Sequence, residues 1–136
     1  MIVIDEKKIF EIIAKRKPVS VALNGPDGLL PKVQALALKI GKKFGIPAYL
    51  LADTTWGTCD LNSIGAEILN TEILFNIGHT NRMESFEKNV IIIDAFDDIS
   101  FDKVTKKCIE LVRGKTISLI TDSQHLHQIQ PIKKVL

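Results

Sequence analysis

The chain has 136 residues, of which 46% are hydrophobic and 25% charged; this suits one folded domain and excludes a disordered chain. Its formal net charge is only +2, and six Phe, one Tyr and one Trp offer no stacking platform, so we expect neither nucleic-acid nor membrane binding. No apolar run approaches the roughly 20 residues that span a bilayer, and the first residues do not resemble a signal peptide. Two cysteines do not form a disulfide framework. These features favour a cytoplasmic protein with reduced thiols.

Short apolar runs alternate along the chain with amphipathic segments. In chain order, the pattern predicts five strands, over Val19–Leu23, Ala48–Ala52, Ile73–Ile77, Val90–Ile93 and Thr116–Thr121. The predicted helices are Asp5–Lys15 before the first strand, Leu29–Phe44 before the second, Asp60–Asn70 before the third, and one from a Ser100 cap to Val112 before the fifth. Gly45 is expected to end the second helix, and the last residues form a polar tail or a weak helix.

This alternation predicts the fold class. Strands joined through helices form parallel sheets that are covered on both faces, and the near-continuous apolar strands agree with that burial. No linker rich in Gly, Pro or Ser divides the chain. We therefore expect a single three-layer α/β domain with a parallel sheet of four to five strands flanked by helices.

The unusual residues lie just after predicted strands. They are Asn24–Gly28, Asp53–Cys59, Gly78–Thr80 and Asp94. The carboxyl ends of parallel strands share one edge of the sheet, and ligands bind there beside a topological switch point. Segments that are far apart in sequence are therefore expected to meet in one site.

Cys59 is the reactive group expected at that edge. A cysteine directly before the predicted helix over 60–70 lies near the positive end of the helix dipole, which favours the thiolate that binds iron or zinc. Cys108 falls instead on the apolar face of the last clear helix, with Phe101, Val104 and Leu111, and is expected to pack in the core. His79 could serve Cys59 as a base, although no Asn, Gln or Asp is obviously placed to orient it.

The turn Asn24–Gly28 has two readings. Its glycine spacing matches neither a dinucleotide fingerprint nor a P-loop, and a plain strand-to-helix turn capped by Asp27 explains it. Its two glycines and Pro26 also permit backbone N–H groups that face a ligand at the following helix.

Three motifs together resemble the first domain of the archaeal and eukaryotic diphthamide synthase family. They are Pro26–Leu29, Ala52–Cys59 and Ile77–Thr80, in the family's order and spacing. The stretch Ser118–His125, which contains the motif Thr121–His125, is similar to the opening of that family's second domain. The resemblance thus implies a first-domain-like region over residues 1–115 and the start of a second domain over residues 116–136.

The resemblance implies a radical aminocarboxypropyl transferase. Such an enzyme uses a [4Fe–4S] cluster and S-adenosylmethionine to add a 3-amino-3-carboxypropyl group to a histidine of translation elongation factor two. By this resemblance Cys59 is a cluster ligand, and no catalytic residue is assigned. The residues implied to line the cofactor site are Pro26, Asp27, Gly28, Asp53, Thr54, Thr55, Gly78 and His79.

The family's enzyme has three related domains, and each supplies one cysteine to the cluster. One Cys59 thiolate cannot hold a cluster whose three protein-bound irons each need a ligand. The chain could be an excised domain, a subunit completed by another polypeptide, or one of three copies in a ring that presents three Cys59 thiolates.

Two other functions stay open from the residues alone. One is a non-catalytic binding module that kept the pocket and lost the cluster. The other is a thiol enzyme that uses Cys59 with His79.

Overall fold

The computed structural model describes residues 2–53, 55–57, 61–79 and 89–136. Its contacts divide the chain into two compact units, Ile4–Ala95 and a smaller unit formed by Met1–Val3 with Phe96–Leu136. The strands are β1 (Ile2–Ile4), β2 (Val21–Asn24), β3 (Ala48–Leu50), β4 (Ile73–Ile77), β5 (Val90–Ile93) and β6 (Ala95–Asp97). The helices are α1 (Glu6–Arg16), α2 (Leu30–Phe44), α3 (Ser63–Ile68), α4 (Asp102–Val112) and α5 (Ile129–Val135), with 3-10 turns at Asp27–Leu29 and Ser123–Gln128.

The larger unit is built on a four-stranded parallel sheet in the order β3-β2-β4-β5. Val21 of β2 is in register with Ala48 of β3 on one side and with Ile73 of β4 on the other. Every residue of β2 and β4 is buried, as expected for central strands covered on both faces. The α/β fold with helices flanking a parallel sheet is confirmed.

The first two helices show why their ends fall where they do. Asp5 caps α1 by accepting a hydrogen bond from the backbone N–H of Lys8 at 3.0 Å. Helix α2 buries Val33, Leu36 and Ile40, and it ends as expected at Gly45, whose φ of 69° suits a residue without a side chain.

Two predicted helix starts are too early, by three residues for α3 and by one residue for α4. Helix α3 begins at Ser63 rather than at Asp60, because Asn62 is the residue whose side chain caps it by accepting from Gly65 N–H at 3.0 Å. Helix α4 begins at Asp102 with Phe101 in the N-cap position. Ser100 is not its cap, although the Ser100 hydroxyl accepts a hydrogen bond from Asp102 N–H at 3.2 Å.

The predicted fifth strand is also wrong. Thr116–Thr121 has no strand structure, and the tail beyond it forms the 3-10 turn and α5, which contact each other. The run has the apolar, β-branched composition of a strand but is hydrogen-bonded to no strand among the described residues. The two-stranded pairing of β1 with β6 was not predicted, since three-residue strands leave almost no periodic signal.

The apolar face of α4 is largely exposed, so the prediction that it packs in the core is wrong. Val104 is 59% exposed and Leu111 is 68% exposed, while Cys108 is only partly buried. Helical periodicity identifies which face is apolar but cannot say whether anything covers it. Among the described residues, no helix combines the length and the apolar character needed to cross a membrane.

Candidate functional site

The switch point of the larger sheet lies between β2 and β4. The chain leaves β2 for β3 on one side of the sheet, whereas it leaves β4 for β5 on the other side. Two neighbouring strands whose connections depart in opposite directions open a crevice at their carboxyl ends, where α/β proteins bind ligands. The turn that begins at Asn24 and the turn that contains Gly78 follow these two strands directly.

These two turns touch, and two glycines permit the contact. A Cβ added at Gly25 would lie 2.8 Å from the backbone oxygen of Ile77, and one added at Gly78 would lie 2.7 Å from a methyl of Leu29. Gly78 also has a φ of +86°, which L side chains rarely adopt. The expected meeting of the two turns is therefore confirmed, and it explains why glycine occupies both positions.

A chain of polar side chains runs through the switch point. The Nδ2 of Asn76 donates to the Oδ1 of Asn24 at 2.9 Å, and the Oδ1 of Asn76 lies 2.9 Å from the Nδ1 of His79. Both asparagines are 0% exposed, whereas His79 is half-buried at the sheet edge. The expectation that no Asn, Gln or Asp is placed to orient His79 is wrong, because Asn76 is placed to do so.

The loop that contains Cys59 is held at its base. The Nδ2 of Asn62 donates to the carboxylate of Asp53 at 2.6 Å while the Asn62 Oδ1 caps α3. This pair joins the two ends of the segment between residues 53 and 62. The β2–β3 pairing extends as far as Leu51, two residues before Asp53, since Leu51 N–H donates to Leu23 O at 2.8 Å.

Inside this loop, two described side chains differ sharply in environment. Thr55 is 4% exposed, and its Oγ1 has no hydrogen-bond partner among the described residues. Trp56 is 85% exposed. A buried hydroxyl without a described partner and an exposed indole are both unusual in a plain connecting loop.

The remaining residues expected at the site lie as follows. Pro26, Asp27 and Gly28 form the turn after β2, in which the backbone oxygen of Pro26 accepts a hydrogen bond from Leu29 N–H at 2.8 Å. Asp94 follows β5 at the same edge. Thr54, Cys59 and Thr80 lie outside the described residues.

Sequence reasoning missed Asn76 and Asn62. Asn76 is the single polar residue of β4, and a buried amide inside an apolar strand next to a glycine turn is a signal that could have been used. Asn62 falls inside the predicted helix because that helix begins at Asp60, three residues before the observed start at Ser63.

Comparison with known proteins identifies the family. The family model described as "Putative diphthamide synthesis protein" matches residues 25–136, which is most of the chain. The chain belongs to this diphthamide synthesis family. The resemblance carried by Pro26–Leu29, Ala52–Cys59 and Ile77–Thr80 is confirmed.

Individual relatives agree with this assignment. The chain is 27% identical over 132 residues to the 2-(3-amino-3-carboxypropyl)histidine synthase of Pyrococcus horikoshii, with 96% of this chain and 37% of that protein aligned. It is 32% identical over 72 residues to subunit 2 of the Xenopus laevis synthase, over 53% of this chain and 15% of that protein. The crystal structure of Pyrococcus horikoshii Dph2 with a 4Fe-4S cluster has the same fold, with a TM-score of 0.87, 24% identity, and 98% of this chain aligned to 40% of that chain.

This diphthamide synthesis family member spans less than half the length of each of these proteins. Among the described residues, no three His, Cys, Asp or Glu side chains are grouped to hold a metal ion. The chain has two cysteines, and Cys108 belongs to the smaller unit on α4. One chain alone therefore does not offer the thiolate set that a [4Fe–4S] cluster needs.

Proposed function

We propose that this chain is a component of a diphthamide-synthase-type 3-amino-3-carboxypropyl transferase, which uses S-adenosylmethionine and a [4Fe–4S] cluster to modify a histidine of translation elongation factor two. The observation that carries the proposal is the family match over residues 25–136. The meeting of two of the matched turns at the switch point supports it, since ligands of α/β proteins bind at such a crevice.

In this proposal Cys59 supplies one thiolate ligand, and the other ligands come from further polypeptide: a partner subunit, or additional copies of this chain. The relatives named as subunit 2 of the synthase support an assembly of several chains. Thiolate ligation requires reduced cysteines, so we place the protein in the cytoplasm.

The chain's own residues would shape the cofactor site. The turn formed by Pro26, Asp27 and Gly28 and the turn formed by Gly78 and His79 would form the wall of the site at the switch point. Asp53, Thr54 and Thr55 would line the adjacent loop, and the hydrogen bond between Asp53 and Asn62 would fix the ends of that loop. The cluster, when bound, supplies the electron that generates the transferred radical.

Anaerobic iron and sulfide analysis after reconstitution tests the proposal, with the mass of the assembly measured on the same sample. We expect the protein to retain iron and sulfide, in about four irons per three chains if three copies share a cluster. Cys59→Ala should lose both, whereas Cys108→Ala should retain both and serves as the matched control. A monomer that retains no iron, with and without a candidate partner subunit, would contradict the proposal.

One observation favours a second candidate, the thiol enzyme. The hydrogen bond between His79 and Asn76 gives His79 the orienting partner that a Cys–His catalyst requires. If the second candidate is correct, Cys59 is alkylated rapidly well below its reference pKa of about 8.5, and His79→Ala abolishes that reactivity. Iron-free protein that binds S-adenosylmethionine without reacting would instead indicate a non-catalytic binding module.

A further inference from the structure

Asn24 and Asn76 form a buried polar pair at the switch point. They face each other in register on β2 and β4, and each is 0% exposed. All the other side chains of these two strands are apolar. Burying two amides in this position is costly unless they are fully hydrogen-bonded, and Asn24 Nδ2 has no partner among the described residues.

The orientation of the Asn76 amide decides which nitrogen of His79 carries the proton. With the amide of Asn76 oriented so that Nδ2 donates to Asn24 Oδ1, the Oδ1 of Asn76 is left as an acceptor. His79 Nδ1 lies 2.9 Å from that oxygen, so a favourable contact requires the proton on Nδ1. In a neutral imidazole, Nε2 then carries the lone pair.

We propose that Asn76, held in place by Asn24, is a positioning residue that keeps the His79 proton on Nδ1, so that Nε2 acts as a hydrogen-bond acceptor for a ligand at the switch point. Its ligand partner is then a donor group, such as the amine, ammonium or hydroxyl of an amino acid or a nucleoside. Only this identification of the ligand class rests on the proposed function.

The geometry argues against a purely structural role for the pair. Two apolar residues of similar shape would fill the same space between β2 and β4 without an unpaired amide nitrogen. The pair connects the centre of the sheet to a half-buried histidine that follows Gly78 at the edge where ligands bind. A fixed tautomer is the property that this connection provides and that a packed apolar pair would not.

Nitrogen-15 NMR of the imidazole rings in the full-length, iron-free chain tests the proposal. The chain has three histidines, and His79→Gln identifies the His79 signals. We expect the native protein at pH 8 to show His79 with the proton on Nδ1. Asn76→Leu should shift the population toward the tautomer with the proton on Nε2, and Asn76→Asp, which keeps an acceptor at the same place, should restore the Nδ1 proton.

A native His79 that carries its proton mainly on Nε2 would overturn the proposal, and this result does not depend on whether any variant folds. Titration with S-adenosylmethionine is expected to move the Nε2 signal, and a signal that does not move would overturn the ligand contact. Protein with the Nδ1 proton that retains no iron would support the positioning role while contradicting the proposed function. Protein that retains iron but carries the His79 proton on Nε2 would support the proposed function and contradict the positioning role.

Discussion

The buried asparagine pair leads to a quantitative prediction about stability. Leucine has the same branched heavy-atom skeleton as asparagine, so Asn24→Leu and Asn76→Leu change polarity with little change of shape. Asn76→Leu removes the donor to Asn24 Oδ1 and leaves the whole Asn24 amide buried with no hydrogen-bond partner in the part of the chain that the structure describes. We expect it to lower the free energy of unfolding by about 1–3 kcal/mol, the cost of an unsatisfied buried polar group.

Asn24→Leu should lower the free energy of unfolding by less than Asn76→Leu does. Asn24→Leu leaves Asn76 Nδ2 unpaired, but it also removes Asn24 Nδ2, which already has no partner within residues 2–53, 55–57, 61–79 and 89–136. We expect a loss of about 0–2 kcal/mol. The double variant removes all of these unpaired atoms, so its free energy of unfolding should lie within about 1 kcal/mol of the native value or above it.

Urea denaturation of the native chain, the two single variants and the double variant gives the interaction energy between the two sites. The double variant should be more stable than Asn76→Leu alone. If the two losses simply add, then the asparagines do not depend on each other, and the hydrogen-bonded pair is not the unit that the structure describes. The double variant should also lose the fixed tautomer of His79. It would then keep its free energy of unfolding while losing the positioning of His79.

Further predictions concern the contact between the two turns and the base of the cysteine loop. Gly25→Ala should destabilise by about 2–3 kcal/mol because its Cβ meets backbone, and Gly78→Ala by about 1–3 kcal/mol because of its positive φ, as measured by urea denaturation. Gly28→Ala, whose Cβ would meet nothing within 4 Å, is the matched control and should change stability by less than about 1 kcal/mol; an equal loss at all three positions would contradict the close approach. Asn62→Asp keeps the helix cap but places a second carboxylate against Asp53, so limited proteolysis within residues 54–61 should become faster with little change in global stability; unchanged proteolysis would show that this hydrogen bond does not hold the loop.

The parallel sheet could be predicted because its central strands are buried on both faces and therefore read as unbroken apolar runs. Ile73–Ile77 and Val90–Ile93 match the observed strands at both ends. Thr116–Thr121 has the same composition but forms no strand, since a strand exists only where a neighbour offers hydrogen bonds, and one sequence does not show the neighbour. The apolar face of α4 was wrongly predicted to be buried for the same reason, because periodicity shows that a face is apolar and does not show what packs against it.

The meeting of the two turns at the candidate site could also be predicted, but the side-chain contacts there could not. Turn residues after parallel strands must meet at one edge, so the convergence of the Asn24–Gly28 and Gly78 turns follows from strand order alone. The contact of Asn76 with His79 depends on register and side-chain direction, which three residues of separation along the chain do not reveal. The roles of Cys59 and Thr54 stay predictions, because both lie outside the described residues.

The electron paramagnetic resonance spectrum of the reconstituted, dithionite-reduced protein tests the assignment of Cys59 most directly. Cys59→Ser replaces a sulfur ligand by oxygen, so we predict a retained but altered cluster signal, whereas Cys108→Ser should reproduce the native spectrum. A native spectrum in Cys59→Ser, or an altered one in Cys108→Ser alone, would contradict the account.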